Sequence, residues 1–283
     1  MHIHWFPGHM TKAKRMIEEQ LKLVDVVIEL LDARIPASSA NPLIAALTQQ
    51  KPRVIALNKA DMADPRLTEQ WIAYYKAQGL DVVAIDSMTG KGTKQLVKQV
   101  EAAVAEKVER LRAKGIKNRS TRAMILGIPN VGKSSLINRL LGSATVRTGD
   151  KAGVTRGQQW IKIGKNLELL DTPGVLWPKQ DDQEVAFKLA ATGAMNDEVF
   201  DMEDVVKELL QTMIFDYPQN LIARYGLEDP LPNEAEALLE QIGRRRGCLK
   251  SGGVIDTEKV IRLILTEFRT GKLGRLSLDR VLA

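Results

Sequence analysis

The chain has 283 residues, of which 44% are apolar and 27% charged, an ordinary globular composition with room for one large domain and a smaller one. A single cysteine, Cys248, excludes an internal disulfide framework and fits a reducing compartment, and without a run of about 18 apolar residues no membrane span is expected. The net charge of +6 is uneven: residues 241–283 hold ten Lys/Arg against four Asp/Glu, so the rest sums to zero.

In chain order, the opening MHIHWFPGHMTKAKR has no apolar core of signal-peptide length. Residues 9–23 have a helical period, with Met16, Ile17 and Leu21 near one face. Residues 25–32 are a largely apolar run typical of a buried parallel strand. Residues 53–57 predict a second strand ending at Asn58, and 82–85 a third. Between them a helix runs from Pro65 to Gln78 and stops at Gly79. Residues 93–111 read as one long helix with Leu96, Val97, Val100, Val104 and Val108 on its apolar side.

The basic stretch 113–120 predicts a seam between two halves of one domain. A strand at 123–126 leads into a glycine-bearing loop, and a helix leaves it over 133–141. Residues 158–163 and 167–170 predict a hairpin around Gly164-Lys165-Asn166. Alternating strands and helices predict a mostly parallel, doubly wound sheet. After Pro178 only helical periods occur, at 183–192, 202–215, 233–246 and 256–270, with breakers at Pro218, Pro230-Leu231-Pro232 and Ser251-Gly252-Gly253. The expected division is an α/β domain over 1–178 and an all-helical domain over 179–283.

The loop is Gly127-Ile128-Pro129-Asn130-Val131-Gly132-Lys133-Ser134, a phosphate-binding loop. Its glycines let successive N–H groups point inward, and the helix that follows adds the field of its N-terminus. Lys133 is placed to reach the β and γ phosphates and Ser134 to offer its hydroxyl to Mg²⁺, with Val131, Gly132 and Ser135 completing the cradle. Asp171, in Asp171-Thr172-Pro173-Gly174, is expected to hold Mg²⁺ through water, and Gly174 to offer its N–H to the γ phosphate. Thr155, 21 residues after Ser134 and 16 before Asp171, is the candidate switch threonine closing on the metal.

Asn58-Lys59-Ala60-Asp61 reads as a guanine-recognition tetrad. Asp61 can accept two hydrogen bonds from the base edge, which adenine does not offer. Asn58 would fix the loop, and the Lys59 stem would cover one face of the base. Asp86 and Ser87, after the third strand, stand where a second base-contacting loop belongs. The tetrad lies some seventy residues before the phosphate loop, whereas an uncut domain has them in the reverse order. No second tetrad follows Asp171. The reading is a circularly permuted, Ras-like P-loop GTPase domain that binds GTP and GDP, followed by an all-helical domain.

Trp5-Phe6-Pro7-Gly8-His9-Met10, Leu31-Asp32-Ala33-Arg34-Ile35-Pro36, the motif order and the helical C-terminal half together make the chain resemble the permuted GTPases of ribosome assembly. The resemblance is strongest to the bacterial ribosome biogenesis GTPase A family and covers essentially the whole chain. It implies GTP hydrolysis during late maturation of the large ribosomal subunit, with the helical domain contacting rRNA. It implies a catalytic part for His9, for which a surface histidine is the plain alternative. Asn130 matches the asparagine that helps hold K⁺ in potassium-stimulated relatives, or else simply tolerates its backbone angle. Val175 stands where many GTPases carry a water-orienting glutamine, so slow intrinsic hydrolysis is expected. Arg244, Arg245, Arg246, Arg269, Lys272 and Arg275 could neutralise rRNA phosphates, or form a solvated helix face. No DNA and no membrane partner is expected, and a cytoplasmic monomer fits. Action on tRNA or on the small subunit, and a nucleotide-gated scaffold with little hydrolysis, remain as alternatives.

Overall fold

The structure, a computed structural model, describes residues 8–116, 119–142, 159–172, 174 and 182–281, with only the backbone of residues 8–13 and 159. Strands β1 (Val26–Asp32), β2 (Arg53–Asn58), β3 (Asp81–Ala84), β4 (Thr121–Gly127), β5 (Gln159–Ile163) and β6 (Leu167–Asp171) form one sheet in the order β3-β2-β1-β4-β6-β5. Every pairing is parallel except that of β5 with β6. The chain enters at the middle of the sheet, steps outward to β3, returns beside β1 as β4, and steps to the opposite edge. The strands that carry the tetrad (β2) and the phosphate loop (β4) thus flank β1, despite their distance in sequence. The register sets Asp32 beside Asn58 and Leu30 beside Gly127, so β1, β2 and β4 end together at a topological switch point.

Period-2 alternation gives each strand two apolar faces, and helices cover both. On one face Val27, Met124, Leu126 and Leu170 pack with Ile17 and Leu21 of α1 (Gly8–Leu21) and Ile44. Further along that face Leu31, Ile55 and Leu57 meet the side chains Trp71 and Tyr75 of α4 (Pro65–Ala77). Ile44 belongs to the second of two short helices, α2 (Pro36–Ser39) and α3 (Pro42–Leu47), which the hydrophobic period does not reveal. Each opens on a proline, whose fixed φ suits a first helical position. On the other face α5 (Thr93–Ala103) lies on β1, β2 and β3 with Leu96 and Val100 buried, and α7 (Lys133–Leu141) lies on β4.

The long helix read over 93–111 is two. It breaks at Val104 (φ −114°, ψ 5°) into α5 and α6 (Ala105–Ala113). No glycine or proline marks the break. The difference is burial: α5 has a sheet to cover, while α6 buries none of its residues. The seam that follows is pinned by Asp25, whose carboxylate accepts from the Arg122 N–H (3.0 Å) and pairs with Arg119 and Lys107.

Helices α8 (Gln183–Ala191), α9 (Met202–Asp216), α10 (Pro218–Tyr225), α11 (Ala235–Arg245) and α12 (Thr257–Arg269) form a second unit. Helix α9 is its centre, touching the other four. It contributes Val205, Val206, Leu209, Leu210 and Met213 to the core. Pro218, expected only as a breaker, both ends α9 and opens α10.

The expected boundary of the helical domain, 179–283, needs correction at its end. Compact packing assigns residues from Asp279 onward to the α/β unit. The Asp279 carboxylate accepts from the Ser38 N–H (2.7 Å) and hydroxyl (2.8 Å), and Val281 packs against the Leu31–Trp71 cluster. Asp279 is buried, so its loss leaves the Ser38 amide without its acceptor. Asp279→Ala should destabilise the α/β unit by about 1–3 kcal/mol. Denaturant unfolding indistinguishable from the parent would contradict that role.

Candidate nucleotide site

The phosphate loop joins β4 to α7, and the sequence forces its path. Gly132 has φ 104°, a left-handed conformation, and a Cβ there would lie 2.3 Å from the Asn58 carboxamide nitrogen. At Gly127 a Cβ would lie 2.6 Å from the Leu30 carbonyl oxygen. Both glycines are therefore required by close approach, and Gly132 also by its backbone angle.

The tetrad braces this loop directly. The Asn58 Nδ2 donates to the Val131 carbonyl (2.7 Å), while its Oδ1 accepts from the Ser87 N–H (3.1 Å). One buried side chain thus ties together the end of β2, the phosphate loop and the loop after β3. The Lys59 ammonium donates to the Asn130 carbonyl (2.9 Å) and pairs with the Asp32 carboxylate (3.0 Å). The Ala60 N–H donates to the Ile85 carbonyl (3.1 Å), fixing the tetrad to the end of β3. Asp61 is exposed.

Asp86 lies in the loop after β3. Its carboxylate accepts from the N–H groups of Met88 (2.8 Å) and Thr89 (3.2 Å) and from the Thr89 hydroxyl. Burial pushes its pKa up, but these hydrogen bonds and the Arg139 charge outweigh burial and hold it below the usual value. Asp86 shapes its loop, and Ser87 meets Asn58 through its backbone.

Lys133 is buried at the start of α7, with its ammonium donating to the carbonyls of Gly127 (3.1 Å) and Ile128 (2.8 Å). Burial pushes its pKa down to about 8, against the opposing pull of the Asp171 carboxylate. Ser134 and Ser135 follow it in the first turn of α7, both half-buried. Asp171 ends β6, buried near Lys133, and the Thr172 hydroxyl donates to the Ile125 carbonyl to hold that strand end against β4. Gly174 crosses the loop so closely that a Cβ would lie 2.8 Å from Pro129 backbone atoms and 3.0 Å from the Lys133 ammonium.

These oxygens suit a hard divalent ion. Mg²⁺ needs only one or two protein oxygens and keeps the rest of its shell as water and phosphate. The buried Asp171 carboxylate and the Ser134 hydroxyl are of that kind, and no group of three or more His, Cys, Asp or Glu suited to a metal occurs among the described residues. Asn130 has φ 57°, which asparagine tolerates better than most residues. The side chain of His9, with Thr155 and Val175, lies outside the described residues.

In the helical unit most of the arginines named for rRNA are already engaged. The buried Glu267 carboxylate is clasped by Arg224 (2.9 Å from Nε) and Arg246 (3.1 Å). Arg269 pairs with Asp197 (2.7 Å) and donates to the Ala190 and Ala191 carbonyls. Arg244 pairs with Glu240 (2.6 Å), and Arg245 lies 3.6 Å from Glu228. Arg246 and Arg269 are therefore struts of the helical unit. Lys272 and Arg275 are exposed.

Comparison with known proteins identifies the relatives of the chain. A protein-family model described as "50S ribosome-binding GTPase" matches residues 122–223, starting in the strand before the phosphate loop. The chain is 52% identical to "Ribosome biogenesis GTPase A" of Priestia megaterium over 280 residues, covering 99% of this chain and 97% of that protein. It is 34% identical to the protein of that name from Thermotoga maritima over 278 residues, covering 98% and 94%. Among solved structures, GNP-bound YlqF from T. maritima aligns with a TM-score of 0.66 at 30% identity, covering 95% of this chain and 98% of that one. GDP-bound YlqF aligns with the same TM-score at 29% identity.

Two outcomes test the geometry. Protonated Lys133 is the form that attracts phosphate, and it is lost as pH rises through about 8. GDP affinity should fall about tenfold between pH 7 and 9, and a flat profile in equilibrium titrations would contradict the assignment. Gly174→Ala should impair GTP hydrolysis through its collision with Pro129 and Lys133, and parental turnover would show that the approach is unimportant.

Proposed function

The chain belongs to the ribosome biogenesis GTPase A family and is a GTP hydrolase of ribosome biogenesis, and on that premise we propose that it serves late assembly of the large subunit by binding pre-subunit rRNA. The observation that carries the nucleotide part is the bracing of the phosphate loop by Asn58 and Lys59. Guanine recognition and phosphate binding are then two ends of one rigid site. In this reading Asp61 accepts from the guanine edge, and Ser87 abuts the base-contacting loop. The amides of Val131, Gly132 and Ser135 and the Lys133 ammonium hold the phosphates, and the Gly174 N–H faces the γ phosphate.

Mg²⁺, when bound with the nucleotide, neutralises charge on the β and γ phosphates. Ser134, Asp171 through water, and Thr155 would hold it. Asn130 beside the phosphates supports a K⁺-assisted reaction, and His9 is the candidate to orient the attacking water. With Val175 in the usual glutamine position, hydrolysis by the isolated chain is slow and the ribosomal particle completes the site.

The helical unit, residues 182–278, supplies the rRNA contact. Its candidates among the exposed basic residues are Arg244, Arg245, Lys272 and Arg275. Asp171 precedes this unit by 11 residues of chain, a short lead through which nucleotide state can act on it. No helix among the described residues is long and apolar enough to cross a membrane, and the proposed place of action is the cytoplasm, as a monomer.

Steady-state hydrolysis in potassium buffer, with purified large or small subunits, tests this reading. Strong stimulation by large subunits alone is expected. Equal or absent stimulation would return the tRNA, small-subunit and scaffold readings. Asp61→Asn should shift preference from guanine toward xanthine nucleotide, and an unchanged GTP preference would remove Asp61 from the base reader.

A further inference from the structure

The segment Asp32-Ala33-Arg34 carries two buried, opposite charges at the end of β1, and neither is accounted for by nucleotide contact. Asp32 and Arg34 are each about 1% exposed. The Asp32 Oδ1 accepts from the Arg34 N–H (3.0 Å) and Nε (3.0 Å), and Oδ2 accepts from Arg34 Nη2 (2.8 Å). That bidentate grip fixes the carboxylate plane. Oδ2 also pairs with the Lys59 ammonium at 3.0 Å, and the same ammonium donates to the Asn130 carbonyl at 2.9 Å.

A buried arginine–carboxylate pair is weak evidence for stability, because apolar residues of similar volume often serve as well. Its use here is geometric. Lys59 has φ 60°, a backbone conformation that a long side chain rarely adopts. A lysine on a four-carbon stem has many rotamers, and only an anchor on each side of its ammonium selects one. The Asn130 carbonyl is one anchor and the Asp32 carboxylate the other. Burial pushes the Asp32 pKa up, but the Arg34 and Lys59 charges outweigh it, so the carboxyl stays ionised.

We infer that Asp32 is a positioning residue for guanine-nucleotide binding: gripped by Arg34, it pins the Lys59 ammonium against the Asn130 carbonyl, so that the lysine stem lies ready across the base and the phosphate loop keeps its shape. The inference rests on Lys59 belonging to the base reader. Asp32 touches no nucleotide; it acts through Lys59.

The test is a double-mutant cycle on GDP affinity, using Lys59→Met, Asp32→Asn and their combination. Lys59→Met and Asp32→Asn should each weaken GDP on the order of tenfold or more. The combination should weaken it no further than Lys59→Met alone, because the two act as one unit. Discrimination of GTP from ITP should be unchanged in Asp32→Asn, since Asp61 is intact. Should Asp32→Asn fail to fold, Asp32→Asn/Arg34→Met removes both buried charges and takes its place in the cycle. Parental affinity in the Asp32 variants, or additive losses in the cycle, would overturn the inference. Parental affinity in Lys59→Met would instead overturn the base-reader assignment on which it rests.

Discussion

One buried carboxamide holds the site together. Asn58 lies at the end of β2, donates to the carbonyl of Val131 and accepts from the amide of Ser87. Its two functional atoms face two loops from distant parts of the chain. Gly132 passes so close that only hydrogen fits between it and the Asn58 nitrogen. The phosphate loop has its shape because the base reader presses against it, and the base reader is placed because the loop offers a carbonyl.

This mutual support explains why permutation leaves the site intact. The chemistry needs the ends of β1, β2, β4 and β6 side by side. The parallel sheet supplies that through its register, whichever strand the chain enters first. Permutation changes which segment is covalently next. Here Asp171, at the end of β6, is followed 11 residues later by the helical unit, whereas the base reader follows the amino-terminal part of the chain. The seam lies at the amino-terminal ends of the strands, where Asp25 gathers Arg119, Lys107 and the Arg122 amide. The seam's anchor therefore lies at the opposite ends of the strands from the loop after β4. Residues from Asp279 belong to the α/β unit, which therefore joins segments that lie before and after the helical unit in sequence.

Much of this was legible in the sequence, because strands buried on both faces write continuous apolar runs, and phosphate and base recognition demand residues with few substitutes. The strands, the hairpin around Gly164 and the helices after Pro178 are of that kind. The break at Val104 was not legible, because it depends on where the sheet stops and not on a local breaker. Helices α2, α3 and α10 were missed because they are too short for a period to register, and Pro218 was read for the helix it ends and not for the one it starts. At the site, residue types pointed to a phosphate loop and a tetrad, but not to who holds whom. Asp86 is engaged within its own loop, and Arg246 and Arg269 serve the helical unit. A basic residue bound to a buried carboxylate looks, in sequence, like one facing solvent. Asp32 and Arg34 did leave a signal: two opposite charges ending an apolar strand.

The central claim is that the base reader braces the phosphate loop. Hydrogen–deuterium exchange on the parent and on Asn58→Ala, without added nucleotide, measures it most directly. The account predicts faster exchange across residues 130–134 in the variant, with the β4 amides at 123–126 unchanged. Equal protection of the phosphate loop in the two proteins would mean that the loop holds its shape by itself, and the claim would fall.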